Sequence, residues 1–488
     1  MPARLVTIGD SLSQGMISGS VSQTEWSFPA AIARCLGETP TLSGGGDRAF
    51  RIPTFIGEGG LPINLEKILR LLVERYGPKV SWFDVVPAAL SVRSLLDRVE
   101  DYWERGEGSQ ALPTGSLHHN LATFGFKLGD CDTLTEAICR RVIPEPKDNV
   151  IGQVPEFAMY RAARRTLNPS FAKEYEHFSQ LEAARAIAQS EGGIENLIFW
   201  LGSNNCLSTV TQLEIRWSQP EDLGKFPYEI SANLWRPDHF QTLLDRVAPK
   251  IDALGAQNVF IATIPHVTIP PVSRGISPGL SDTNALSADG YYEYYTHFWI
   301  WDADFAKSPE RYAFLSREEA RLIDRTIDEY NKSIKTLAQQ RGWHIVDMCD
   351  VLDRLAYRRQ GGEPSYSLPS GMIEALKANP ATRYKSLPDT RFLRIVPNSN
   401  GAEREYQGGV FGLDGFHPTT LGYGIVADAF LKVMAEKGVS LPYSIDWNTL
   451  VAADTLWIDL PENLLNLRDT LGFLYHRTPL AQLVENVL

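Results

Sequence analysis

The run Asn196-Leu197-Ile198-Phe199-Trp200-Leu201 is apolar at consecutive rather than alternating positions, and it breaks at Gly202-Ser203-Asn204. A strand with one wet face alternates polar and apolar residues. One that does not alternate is buried on both faces, and sheets built of such strands are parallel and covered by helices on each side. Further apolar runs cover residues 4–8, 258–264 and 343–348. Between the last two, Ser316 and Glu319 form a capping box, Ile323, Ile327, Tyr330, Ile334 and Leu337 recur on one helical face, and Gly342 supplies a stop. This alternation predicts an α/β chain: a three-layer sandwich with a mostly parallel central sheet and helices on both faces. Strands are expected at 4–8, 118–123, 195–201, 258–264 and 343–348, and a long helix at 317–341.

The pieces are unusually far apart. From Ser11 to Gly125 is 114 residues, far more than one βα unit needs. Residues 1–439 therefore read as one α/β domain with large insertions near 40–115 (helices expected at 62–76 and 80–105), 207–236, 270–315 and 352–412. The last three follow strand carboxyl ends and should gather there. Residues 440–488 form an apolar C-terminal extension that packs on the core or makes an interface.

The chain has 488 residues and a net charge of −12, which argues against nucleic acid or an anionic membrane surface as a partner. It shows no stretch of transmembrane length. Strand character begins by residue 4, leaving no room for a signal peptide, so a cytoplasmic location is expected. The five cysteines (Cys35, Cys131, Cys139, Cys206, Cys349) are odd in number and in no metal-like spacing, which suggests free thiols. The histidines outside residue 417 show no metal spacing either, so no metal is expected.

Four short segments carry chemistry. Gly9-Asp10-Ser11-Leu12 follows the first strand, which puts a serine hydroxyl at the carboxyl edge of the sheet. An Asp/Ser helix N-cap explains the same residues. Asn204 stands behind the buried strand, where a side-chain amide can donate to an oxyanion, although polar clusters there are often plain turns. In Asn120–Gly125 the terminal glycine lets a backbone N–H approach a ligand, or is simply a loop glycine. In Asp414-Gly415-Phe416-His417-Pro418 an acid three residues before a histidine can fix one imidazole nitrogen and leave the other facing outward, while a capping Asp beside a surface His fits equally well.

In this order the four segments resemble the four blocks of the SGNH hydrolases, the GDSL esterases and lipases. The resemblance spans residues 3–437 and is specific in the short blocks. It implies Ser11 as nucleophile, His417 as general base and acid, and Asp414 as the group that orients the imidazole. The oxyanion hole it implies consists of the Ser11 and Gly125 N–H groups and the Asn204 amide. It also implies no organic cofactor. One departure stands out: Asn205 occupies a position where the family usually has Asp.

The expected activity is hydrolysis of a small-molecule carboxylic ester through an acyl-enzyme, with small-acyl or sugar-linked esters favoured. The alternatives are acyl transfer by the same serine, or a non-catalytic ligand-binding protein of this fold. The aromatic cluster at 291–301, with Tyr294, Trp299 and Trp301, offers flat faces for a substrate pocket or packs a small core of its own.

Overall fold

The computed structural model describes residues 1–42, 48–145, 154–280, 286–300, 302–382, 386–397 and 404–466. Four parallel strands make the central sheet in spatial order β1 (Ala3–Gly9), β2 (Ile194–Trp200), β3 (Asn258–Ala262) and β4 (His344–Val346). Successive side chains of β2 serve opposite cores. Leu197 and Phe199 join one buried cluster with Val6, Ile8 and Ile261. Ile198 and Trp200 join another with Leu5, Phe260 and Ala262. This two-faced burial is why residues 197–201 carry no polar residue.

The helices that cover these faces are α1 (Ser11–Gln14), α2 (Phe28–Cys35), α3 (Gln180–Glu191), α4 (Pro237–Asp252), α5 (Arg317–Arg341), α6 (Met348–Leu355) and α7 (Thr420–Glu436). Leu181 and Ile187 of α3, Phe240 and Leu244 of α4, and Ile323 and Ile327 of α5 pack on the first face. Phe28 and Ile32 of α2, with Tyr423 and Phe430 of α7, pack on the second. The result is the three-layer α/β sandwich. The long helix begins and ends as its sequence signals: Ser316 Oγ accepts from Glu319 N–H, Glu319 reaches back, and Gly342 takes the left-handed cap at φ 69°.

The expected strand at 118–123 is not a regular strand. It runs beside β1 through one parallel bridge, Thr7 with Asn120, and a further bond from Thr123 N–H to Gly9 O at 3.1 Å. Asn120 turns the chain there, its amide donating to Ser13 O (2.9 Å) and its carbonyl accepting from Ala122 N–H (3.2 Å). Side-chain bonds to nearby backbone of this kind compete with a ladder.

In the first insertion, helices Leu65–Tyr76 and Val85–Glu104 build a separate buried cluster around Trp103. In the third, strands Ser273–Ile276, Tyr294–His297 and Leu315–Ser316 form a small antiparallel sheet. The C-terminal extension packs on the core as far as it is described: Trp447, Leu450 and Val451 lie against Leu421 and Ile425 of α7. Residues 467–488 fall outside the described residues. Among the described residues no helix is long and apolar enough to cross a membrane.

Candidate active site

β1 stops at Gly9, where a Cβ would lie 2.3 Å from Ser13 Oγ and 3.1 Å from Trp200 O, so no other residue fits without displacement. Asp10 then caps the one-turn α1, its Oδ1 accepting from Leu12 N–H at 3.1 Å. Burial pushes the Asp10 carboxyl up to about 7, against hydrogen bonds that lower it. The cap and the site are thus compatible: Asp10 closes the helix, and Ser11, only 6% exposed, faces a cavity.

The other end of the chain meets this turn. Asp414 Oδ2 lies 2.8 Å from His417 Nδ1, and Oδ1 accepts from the backbone N–H groups of Phe416 (3.1 Å) and His417 (3.0 Å). Gly19 N–H donates to Oδ2 at 2.6 Å, tying the loop to the turn after α1. Leu413 N–H donates to Ser18 Oγ (3.0 Å), and Tyr423 of α7 donates to Met16 O (2.6 Å). Burial alone would raise the Asp414 carboxyl, but the His417 charge, the ring hydrogen bond and the two backbone donors outweigh it and hold the carboxyl below its ordinary value. The acid is therefore ionised and fully engaged, and it fixes the imidazole with Nε2 turned away. Ser11 and His417 line the same cavity, with no hydrogen bond between Ser11 Oγ and His417 Nε2 in this structure.

Asn204 lies in the 3₁₀ turn after β2 and also lines the cavity. One of its amide hydrogens goes to Phe126 O at 2.9 Å, which orients the group and leaves the second hydrogen for another acceptor. Asn205 keeps a supporting role without a charge: its Oδ1 accepts from Leu128 N–H at 2.9 Å, joining the 120–128 loop to the turn that carries Asn204. Its Nδ2 is buried without a partner, a position where a carboxylate would bring an acceptor instead.

Gly125 does not line the cavity. It sits in a turn at φ 78°, where a Cβ would meet Met159 Sδ at 2.8 Å. Tyr294 packs against Phe305 and Phe314, and Trp299 stacks on His297 at 4.2 Å; neither lines the cavity. Trp301 lies outside the described residues. Cys206 is a buried filler with Sγ donating to Ser203 O at 3.2 Å.

The cavity is narrow, about 90 Å³, and opens to solvent. Its walls are mainly aliphatic, with Val351, Leu352 and Leu355 of α6, Val410 ahead of Asp414, and Ile425 and Val426 of α7, joined by the rings of Trp200, Phe411 and Phe416. The fourth insertion supplies much of this surface; the second gives only Leu207 and the third only Pro270. A further lining residue, His266, had no signal in the sequence, because its partners Asp328, Asp353 and Cys349 are scattered along the chain.

No protein-family model and no curated protein matches this chain.

Proposed function

We propose that this chain is a serine esterase of SGNH type, acting on a carboxylic ester with an apolar acyl group. The observation that carries the reading is the convergence on one cavity of Ser11, Asn204 and a histidine whose Nδ1 is held by a buried carboxylate. Ser11 Oγ attacks the ester carbonyl while His417 Nε2 takes its proton, and Asp414 stabilises the imidazolium that forms. The free Asn204 amide hydrogen and the Ser11 N–H at the first turn of α1 supply donors to the developing oxyanion. Collapse of the tetrahedral adduct expels the alcohol, protonated by His417. Water then attacks the acyl-enzyme with the same histidine as base.

The aliphatic walls support an acyl chain as the group that fills the cavity, and give sugar hydroxyls few partners. The opening to solvent favours hydrolysis over acyl transfer, which needs water kept out. A second reading, a ligand-binding protein without turnover, draws on the absent Ser11–His417 hydrogen bond. That bond is often formed only once substrate is bound.

Hydrolysis of p-nitrophenyl esters from two to sixteen carbons, wild type beside Ser11→Ala, tests the proposal. Serine-dependent turnover is expected, with a loss of roughly a millionfold in the variant. Turnover that survives in a folded Ser11→Ala protein would remove the assignment. No turnover at any length, together with no labelling of Ser11 by a fluorophosphonate, would favour the binding protein.

A further inference from the structure

The cavity has a second histidine whose surroundings serve a different chemistry. His266 follows β3, with Nδ1 2.8 Å from Asp353 Oδ1 and Nε2 3.3 Å from Asp328 Oδ1. Both ring nitrogens face carboxylates, so this histidine has no nitrogen left to act as a base towards Ser11. Cys349 and Asp353 lie four residues apart on α6, one turn of helix, and so share a face. An imidazole nitrogen of His266, the Cys349 sulfur and an Asp353 oxygen all lie within 4.8 Å of one another.

Ligands at 2.0–2.3 Å around a tetrahedral ion stand roughly 3.3 to 3.8 Å apart, so this mixed donor set needs only small side-chain shifts to close on one. Its frame is anchored at the same place. Cys349 N–H donates to Thr263 Oγ1 at 2.9 Å, and Thr263 Oγ1 donates to Asp347 Oδ1 at 2.8 Å, which ties the start of α6 to the end of β3. Access exists from outside: the side chains of Asp328 and Asp353 are 62% and 40% exposed, while His266 and Cys349 are buried behind them. Charge balances too. One thiolate and one carboxylate neutralise a dication beside a neutral imidazole, and a fourth position is left for water.

We propose that His266, Cys349 and Asp353 form a three-ligand binding site for a divalent transition cation of the zinc type. The nitrogen–sulfur–oxygen set selects a borderline-soft ion over calcium or magnesium, which take oxygen ligands. On binding, the thiol proton and the excess imidazole proton pass to solvent. An occupied site cross-links the loop carrying His266 to α6. Since α6 also carries Val351, Leu352 and Leu355, the ion holds the width of the cavity. This site is independent of the esterase reading.

The test uses the full chain stripped with a chelator, titrated with zinc chloride by calorimetry and with cobalt chloride by absorbance. One equivalent per chain is expected, with a thiolate-to-cobalt charge-transfer band that Cys349→Ser removes. Cys349→Ser should weaken zinc binding by more than about a hundredfold, since even an outer partner of a ligand costs 10–100-fold. Asp353→Asn, at a half-exposed position that folding tolerates, should weaken it by at least about tenfold. No saturable uptake, or uptake equal in wild type, Cys349→Ser and Asp353→Asn, would overturn the site and leave a histidine held only by ion pairs.

Discussion

Two histidine–aspartate pairs border the same cavity with the same 2.8 Å Nδ1–carboxylate distance, yet their surroundings differ. In the His417 pair the acid is buried, its oxygens are saturated by three backbone N–H groups, and the imidazole has one nitrogen to spare. In the His266 pair the acid is half-exposed and a second carboxylate engages the other nitrogen. Burial of the His266 ring would lower its pKa, but hydrogen bonds to Asp328, Asp353 and Cys349 raise it far above the ordinary value. A short His–Asp contact therefore does not identify a catalytic base. What identifies it is the nitrogen left over and where that nitrogen faces.

The sharpest way to break this comparison is to neutralise each acid in turn. Asp414→Asn should lower kcat by about 10⁴ through loss of the correct tautomer, whereas Asp353→Asn should cost less than about tenfold. Equal losses in steady-state ester hydrolysis would mean that the pairs had been assigned to the wrong roles. Next in size, Asn204→Ala should reduce kcat by roughly a hundredfold or more with little change in KM, because its donor acts on charge that develops in the transition state. An effect confined to KM would make Asn204 a substrate contact. Smaller again, Leu352→Phe narrows the aliphatic wall and should shift preference towards shorter acyl chains by about tenfold or so in kcat/KM. An unchanged chain-length profile would place the acyl group elsewhere.

The smallest expected effect concerns stability. Asp454 is buried, accepts from Leu421 N–H at 2.9 Å and docks the C-terminal extension on the first turn of α7. Burial raises its carboxyl to about 7. The folded state thus holds this proton more tightly than the unfolded chain does. The stabilisation is full below about pH 4 and is lost as pH rises through about 7, by roughly 2 to 4 kcal/mol. Asp454→Asn keeps an acceptor for Leu421 and should flatten that part of the pH–Tm curve. An unchanged slope would move the effect to the other buried carboxyls, Asp10 and Glu38, which are also raised to about 7.

Legibility followed the range of the interactions. The buried strand, the capping box at Ser316 and the His417–Asp414 pair are each set by residues within a few positions, and each was readable. The 118–123 segment lies along β1 with backbone bonds to Thr7 and Gly9, but forms a single bridge rather than a full strand. The aromatic segment suggested a pocket, but Tyr294 packs on Phe305 and Phe314 and Trp299 stacks on His297, and α6 and α7 supply much of the cavity wall.

By itself the sequence determined the layered α/β architecture, because burial on both faces leaves an unmistakable run of apolar residues. It also determined the Asp414–His417 contact, because a hydrogen bond three residues apart needs no fold to be read. Only the tertiary structure decided what shares the cavity. Asp414 reaches Gly19, and His266 reaches Asp353, across |i−j| separations of 395 and 87. Contacts at such separations exist only once the sheet has brought strand ends together, since nothing local in the chain holds those groups near one another.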